Sequence, residues 1–384
     1  MRVLLAPDKF KGCLSAVQAC DALREGVRAI DPSAEVDLCP LSDGGEGFVD
    51  AMVRALGGRL ITRRVTGPLP EMKVDATFGV LPATPTRPIT AVIEMSAASG
   101  LHWLRPDQYD PLATTTFGAG QLVREAVREG CRHVLLGIGG SATCDAGIGF
   151  AQACGLPVLL DNGDPTSDTE PLCGRDLEHV VRIKSHRGGA VDGVTFEVAA
   201  DVTNPLFGPD GAAPVFAPQK GATAQQVRWL DDMLKQLATR TGHLTEAATP
   251  GAGAAGGLGF ALLAFFGATL RPGIELVIEA TRLRERLTGT DLCLTGEGRI
   301  DAQTLSGKTV IGVARACRDA NVPCVALVGA VGVDLDLLKA RQQGLTSAFS
   351  ICPGPVNHAT ALRDAGVNLS RVTSQVVSLL GKFE

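Results

Sequence analysis

Aromatic side chains are scarce in this chain, 4% of it with a single Tyr, while glycines number 46. That balance points to an α/β protein, because strand-to-helix loops consume glycine and buried parallel strands are built from Val, Ile and Leu. A basic stripe is also lacking. Lys and Arg cluster no further than runs such as Arg282-Leu283-Arg284-Glu285-Arg286, read as a solvated helix face, and the net charge is -5, which argues against a nucleic-acid partner. The 11 cysteines are odd in number and contain no C-x-x-C pair, and Cys20, Cys154 and Cys293 stand in apolar positions, so buried free thiols are expected. The longest apolar patch, Leu258 to Phe266, falls short of a membrane span and is broken by Gly259. Met1 to Asp8 runs straight into a strand pattern with no signal-peptide core, so the expectation is a cytoplasmic protein without a membrane partner. At 384 residues and 45% hydrophobic content, the chain is sized for two domains or for one with a large insertion; a homo-oligomer is left open.

What is present centres on His133 to Gly147, where an apolar run stops in glycines and passes into a helical pattern. Gly137, Gly139 and Gly140 allow backbone N–H groups to turn inward, a helix start adds donors, and Ser141 and Thr143 add hydroxyls, so the stretch can hold a phosphate. The alternative is a tight turn and nothing more. Asp145 either caps the helix or helps hold a metal ion.

Taken in order, Arg2 to Ala6 reads as a strand and Ser15 as the N-cap of a helix to about Ile30. Val36 to Pro40 is a second strand, followed by Ser42-Asp43-Gly44-Gly45-Glu46-Gly47. Ligands of open α/β sheets bind beyond the carboxyl ends of strands, so Asp8, Lys9, Lys11, Asp43 and Glu46 can line one crevice; the alternative is loop solvation and capping. Gly67-Pro68-Leu69-Pro70 looks like a boundary before hairpin-like strands. A polar excursion runs from Asp161 to Gly189. Phe196 to Ala200 is a strand ending in Asp201-Val202-Thr203-Asn204, an acid and an amide where chemistry is usually mounted. Pro250 to Gly257 is a hinge or a second close approach of backbone to ligand. From Asp291 the tail returns to α/β alternation like that of the head. The expected architecture is therefore a parallel-sheet domain from residues 1–66 and 288–384, with a mixed α/β domain, 67–287, inserted.

Glu297, Arg299 and Asp301 alternate, so an extended segment points all three the same way, a set suited to Mg²⁺ and a phosphoryl oxygen. Ala302 to Thr309 nearly matches G-x-x-x-x-G-K-T, with Ala302 in place of the first glycine, and leaves Lys308 at a helix start as a phosphate-binding or a solvated lysine.

Seven of these stretches in order, Ala6 to Gly12, Ser42 to Gly47, Gly137 to Thr143, Asp201 to Leu206, Pro218 to Ala222, Pro250 to Gly257 and Thr295 to Lys308, resemble the bacterial type I glycerate kinases over nearly the whole chain. The resemblance implies a flavodoxin-like domain carrying an inserted domain, and ATP-dependent phosphorylation of D-glycerate, usually at the 2-hydroxyl, with Mg²⁺. The chain departs from the family at Cys144-Asp145-Ala146-Gly147, at Tyr109-Asp110-Pro111, where an Arg is often found, and at Ala200. The expected roles are an ATP phosphate cradle from Gly137, Gly139, Gly140, Ser141 and Thr143, charge neutralisation by Lys308 or Lys220, and Mg²⁺ held by Asp43, Glu297 and Asp301. Asp201 is the first choice for the base and Asp43 the second; Arg299, Lys9 or Lys11, with Asn204, bind glycerate. Two other readings stand beside this one. Gly137 to Ala142 fits G-x-G-x-x-G/A with Asp161 about 20 residues further on, as in an NAD-dependent dehydrogenase, and a sugar-acid sensor would bind glycerate without turnover.

Overall fold

The computed structural model describes residues 1–163, 170–184, 190–302 and 304–380. Packing divides the chain into two units, Met1–Asp43 with Ile274–Glu384, and Gly44–Gly273.

The first unit is built on an all-parallel sheet in the order Ser347–Ser350, Cys324–Val328, Leu292–Thr295, Arg2–Leu5, Glu35–Leu38. Counted along the chain within this unit, that is the order 2-1-3-4-5 of a flavodoxin-like doubly wound sheet. The strand order reverses between the parallel neighbours Arg2–Leu5 and Leu292–Thr295, which pair with Leu5 opposite Leu294. The helix Ala16–Ile30 starts at the expected cap, Ser15, which forms a capping box with Gln18. Its apolar side, with Leu23 and Val27, covers Val3, Leu5, Leu292 and Leu294 in one core cluster that also takes in Leu369 and Val376 of the helix Ala365–Leu380. The two helices touch at Gly26, where a Cβ would stand 2.4 Å from the Ser370 carbonyl oxygen.

The second unit holds a six-stranded mixed sheet in the order Thr269–Arg271, Thr195–Ala199, His133–Gly137, Thr90–Glu94, Lys73–Leu81, Arg59–Thr66. Its first four strands are parallel and the last two antiparallel. Phe150, Phe196 and Phe266 meet edge to face within its core. The division differs from the boundaries read from the sequence. Arg59–Thr66 pairs along its whole length with Lys73–Leu81 and so lies with the second unit, while Arg286 Nη1 donates to Asp37 Oδ1 at 2.7 Å within the first. Of the polar excursion, residues 164–169 and 185–189 lie outside the described residues. The rest contains the strand Val180–Ile183, paired antiparallel with Val158–Leu160. Among the described residues no helix is long and apolar enough to cross a membrane.

Candidate active site

In the first unit the strand ends at the reversal point carry the acids. Beyond Leu5 and Leu294 the two chains stay tied: Ala6 N donates to Leu294 O, Thr295 Oγ1 to Ala6 O and Asp8 N to Gly296 O, each at 2.8 Å. Gly296 is required here, since a Cβ would lie 2.1 Å from Leu327 O. On the other side Cys39 N donates to Leu5 O and Leu41 N to Pro7 O, which carries Asp43 up alongside Asp8. Asp8 is 5% exposed; its Oδ2 accepts from Thr309 Oγ1 and its Oδ1 from Lys9 N, both at 2.6 Å. Burial first, then the Asp43 charge, pushes the Asp8 carboxyl up to about 6, against the pull of Lys9. Glu297 is pushed further, to about 8, by burial and then by Asp8, with Asp43 adding; the Thr304 hydroxyl, which donates to Oε1 at 3.1 Å, and Lys308 work the other way. Asp8, Asp43 and Glu297 are one electrostatic cluster with Lys9 and Lys308 beside it.

The loop after Glu297 is held by its own contacts. Arg299–Ile300 pairs with Ala330–Val331, and Ile300 is buried between two residues that face the same way, so Arg299 Nε donates to Asp301 Oδ2 at 3.3 Å. The Arg299 side chain is 62% exposed. Asp301 N donates to Thr304 Oγ1 at 3.2 Å, which links Asp301 to the hydroxyl that serves Glu297. The near-match to a P-loop is built as a single 3₁₀ turn, Thr304–Ser306, leading to Lys308 as N-cap of the helix Thr309–Asp319; Gln303 within it lies outside the described residues. Lys11 is exposed.

Asp8 stands at the centre of this cluster, although its sequence context gave it only a place along the crevice. Thr304 and Thr309 were not foreseen. The one signal for Thr309 was its place at the end of the P-loop-like stretch.

In the second unit the strand His133–Gly137 ends in the expected glycine loop. A Cβ on Gly137 would meet Gly44 O at 2.2 Å, and Gly140 has φ +72°. The loop is anchored by Ala142 N donating to Ser99 O at 2.9 Å and Leu101 N to Gly140 O at 3.0 Å. Lys220 is 3% exposed and its Nζ donates to Ser141 Oγ at 2.8 Å and Thr143 O at 2.7 Å, so it braces the loop from within. Burial pulls its ammonium down to about 8, opposed by Cys144 and Asp145.

The helix Ile148–Ala153 does not add the free donors expected of it. Asp145 Oδ1 accepts from Gly147 N at 3.1 Å, its Oδ2 accepts from Thr116 N at 2.8 Å and Thr116 Oγ1 at 2.7 Å, and Thr116 Oγ1 accepts from Phe150 N at 2.8 Å. Asp145 thus accepts from N–H groups at the helix start without being its N-cap, which is Gly147, and its carboxyl is raised by burial against these same bonds. Pro250 to Gly257, read from the sequence as a hinge or a close approach of backbone to ligand, packs against the glycine loop. Residues 251–257 are buried, and at Gly256, φ +66°, a Cβ would lie 2.0 Å from Thr143 O. Asp201 follows the strand Thr195–Ala199 and its Oδ1 accepts from Gly273 N at 2.9 Å. Asn204 Nδ2 donates to Asp210 O at 2.8 Å. Asp161, the acid of the dinucleotide reading, pairs with His179 Nδ1 at 3.0 Å on an exposed edge.

A doubly wound unit with clustered acids and lysines at its switch point, joined in one chain to a mixed unit with a glycine-rich strand end, defines an α/β enzyme. The sequence profile of the glycerate kinase family matches residues 3–381. The chain belongs to that family and is a kinase. It is 43% identical to a glycerate kinase of Halalkalibacterium halodurans, over 91% of this chain and 90% of that one. It is 42% identical to the glycerate kinase of Bacillus subtilis, over 98% and 97%, and 38% identical to the glycerate 2-kinase of Escherichia coli, over 99% and 98%. The crystal structure of a Salmonella typhimurium LT2 protein provisionally named glycerate kinase 2 aligns with a TM-score of 0.83 at 41% identity, covering 99% of this chain and 98% of that one.

Proposed function

We propose that the enzyme transfers a phosphoryl group from ATP to the 2-hydroxyl of D-glycerate, giving 2-phosphoglycerate, with Mg²⁺ as the accompanying cation. The observation that carries this reading is the cluster of buried Asp8 with half-buried Asp43 and Glu297, of which Asp8 and Glu297 are held well above the ordinary carboxylate range. Packing acids together out of water is costly unless a cation joins them. The donor set fits Mg²⁺: carboxylate oxygens are hard ligands, and beside Asp43 the fully buried Ser42 hydroxyl has no hydrogen-bond partner among the described residues. The three acids do not close into a tight cage, which suits an ion that keeps waters and uses one or two carboxylates together with phosphate oxygens. When bound, Mg²⁺ supplies neutralisation of the phosphate charge.

Asp8, Asp43 and Glu297, with Asp301 behind Thr304, hold the metal. Lys308 and Lys9 neutralise the anions brought to this cluster, and Arg299 and Lys11 reach a carboxylate from the exposed rim. Asp201 at its strand end is the first assignment for the base that accepts the hydroxyl proton, with Asp43 second. Gly139 and Gly140 carry the phosphate-binding role of the glycine loop, with Ser141 and Thr143 braced by Lys220. The choice of the 2-hydroxyl is supported by the name of the Escherichia coli relative. ADP release that requires both D-glycerate and Mg²⁺ tests the reading. Release that ignores glycerate, or proceeds undiminished in excess chelator, would contradict it.

A further inference from the structure

Cys20 and Cys154 show how a buried thiol is ordinarily accommodated in this chain: each donates to a backbone carbonyl, of Leu5 at 3.7 Å and of Gly120 at 3.8 Å. Cys293, Cys317 and Cys324 are different. Their sulfurs all lie within 4.8 Å of one another, and each residue is 0% exposed. Cys293 and Cys324 are register partners on adjacent parallel strands, so their side chains leave the sheet on the same face. Cys317 comes down onto them from the helix Thr309–Asp319. Three rigid elements thus converge three sulfurs in a dry place.

We propose that Cys293, Cys317 and Cys324 form a three-sulfur site for one soft monovalent cation, Cu(I). The ligand chemistry selects the ion. Thiolate sulfur favours Cu(I) and zinc among biological metals, but structural zinc is four-coordinate. No fourth His, Cys, Asp or Glu joins the group among the described residues, and complete burial leaves no route for water to serve as the fourth ligand.

The site also touches the chemistry of the acid cluster. The strand Leu292–Thr295 ends two residues before Glu297, and the helix that carries Cys317 begins with Thr309, the partner of Asp8. A bound ion braces the two elements that hold those acids. Entry requires a local opening of the helix from the sheet, so uptake is slow relative to surface binding.

The test is anaerobic titration of the reduced full-length protein with Cu(I) supplied as its bathocuproine disulfonate complex, followed by X-ray absorption at the copper edge. Cys13 and Cys352, the partly exposed cysteines, are replaced by Ser in a parallel sample to remove surface binding. One ion per chain, with three sulfur neighbours and insensitive to the loss of Cys13 and Cys352, is the expected result. Cys317→Ser and Cys293→Ala should weaken that ion by more than the ~10–100-fold that even an outer-shell change costs, with folding of each checked by its melting curve. Two-sulfur coordination, an ion lost with Cys13 and Cys352, or no uptake after prolonged incubation would each overturn the assignment. The absorption spectrum of the unsubstituted protein decides the matter even where a variant does not fold.

Discussion

Burial strips the Glu297 carboxylate of water and the charges of Asp8 and Asp43 oppose its ionisation, which pushes it up to about 8. An acid whose folded pKa is raised stabilises the fold fully below its unfolded value, and that stability is lost as pH rises through the folded one. For Glu297 the loss runs from about 4.5 to about 8, and for Asp8 from about 3.8 to about 6. Metal-free protein should therefore melt at a lower temperature near pH 8 than near pH 6, and Mg²⁺ should raise the melting temperature more at the higher pH, where it meets no competing proton. Glu297→Gln should flatten that dependence, and a melting temperature indifferent to Mg²⁺ at both pH values would remove the cation from the cluster. Asp201→Asn should lower kcat by about 10²–10⁴-fold, the usual contribution of a general base, with little change in either KM; near-normal turnover moves the role to Asp43. Asp43 and Glu297 stand out in the sequence because each is set among glycines beyond a strand-like run, and Lys308 because it follows Gly307 in the P-loop-like stretch. The weight of Asp8 does not stand out, since it comes from burial and from parallel pairing with a strand nearly the whole chain away.

Among the elements, the loop Gly137 to Gly147 and the buried turn at Ala255 to Gly257 depend on each other. Gly256→Ala must displace the Thr143 carbonyl at a left-handed position, whereas Gly267, φ +62°, has nothing within 4 Å of a new Cβ. The first substitution should cost about 3–5 kcal/mol and the second about 1–2 kcal/mol, read from urea unfolding; equal costs would mean the turn yields easily. Asp145→Ala should cost about 3 kcal/mol or more, because it strands the buried donors of Thr116 and Gly147. These interactions mark the limit of local reading. The strand, glycine turn and helix at 133–153 follow from periodicity and composition, but the helix start gives its donors to Asp145 and to Thr116, a residue that no window around Asp145 contains. Residues 59–66 likewise fall with the head in the boundaries read from the sequence until the pairing of Arg59–Thr66 with Lys73–Leu81 is known.

For the whole molecule, the return of α/β alternation in the tail was enough to foresee one parallel sheet made from both chain ends, because each short strand and its covering helix leave a pattern of their own. Which strands lie side by side is set by long-range pairing, and it is that pairing which gathers the acids at the switch point. The central claim is that these acids serve phosphoryl transfer to glycerate. The measurement that tests it most directly is ADP release from Mg-ATP in the presence of D-glycerate, with the product identified by phosphorus NMR in the same sample. Release that depends on glycerate, with 2-phosphoglycerate as the product, is the predicted result. A folded protein that releases no ADP, or that yields 3-phosphoglycerate, would contradict the account, the first in its chemistry and the second in the position of transfer.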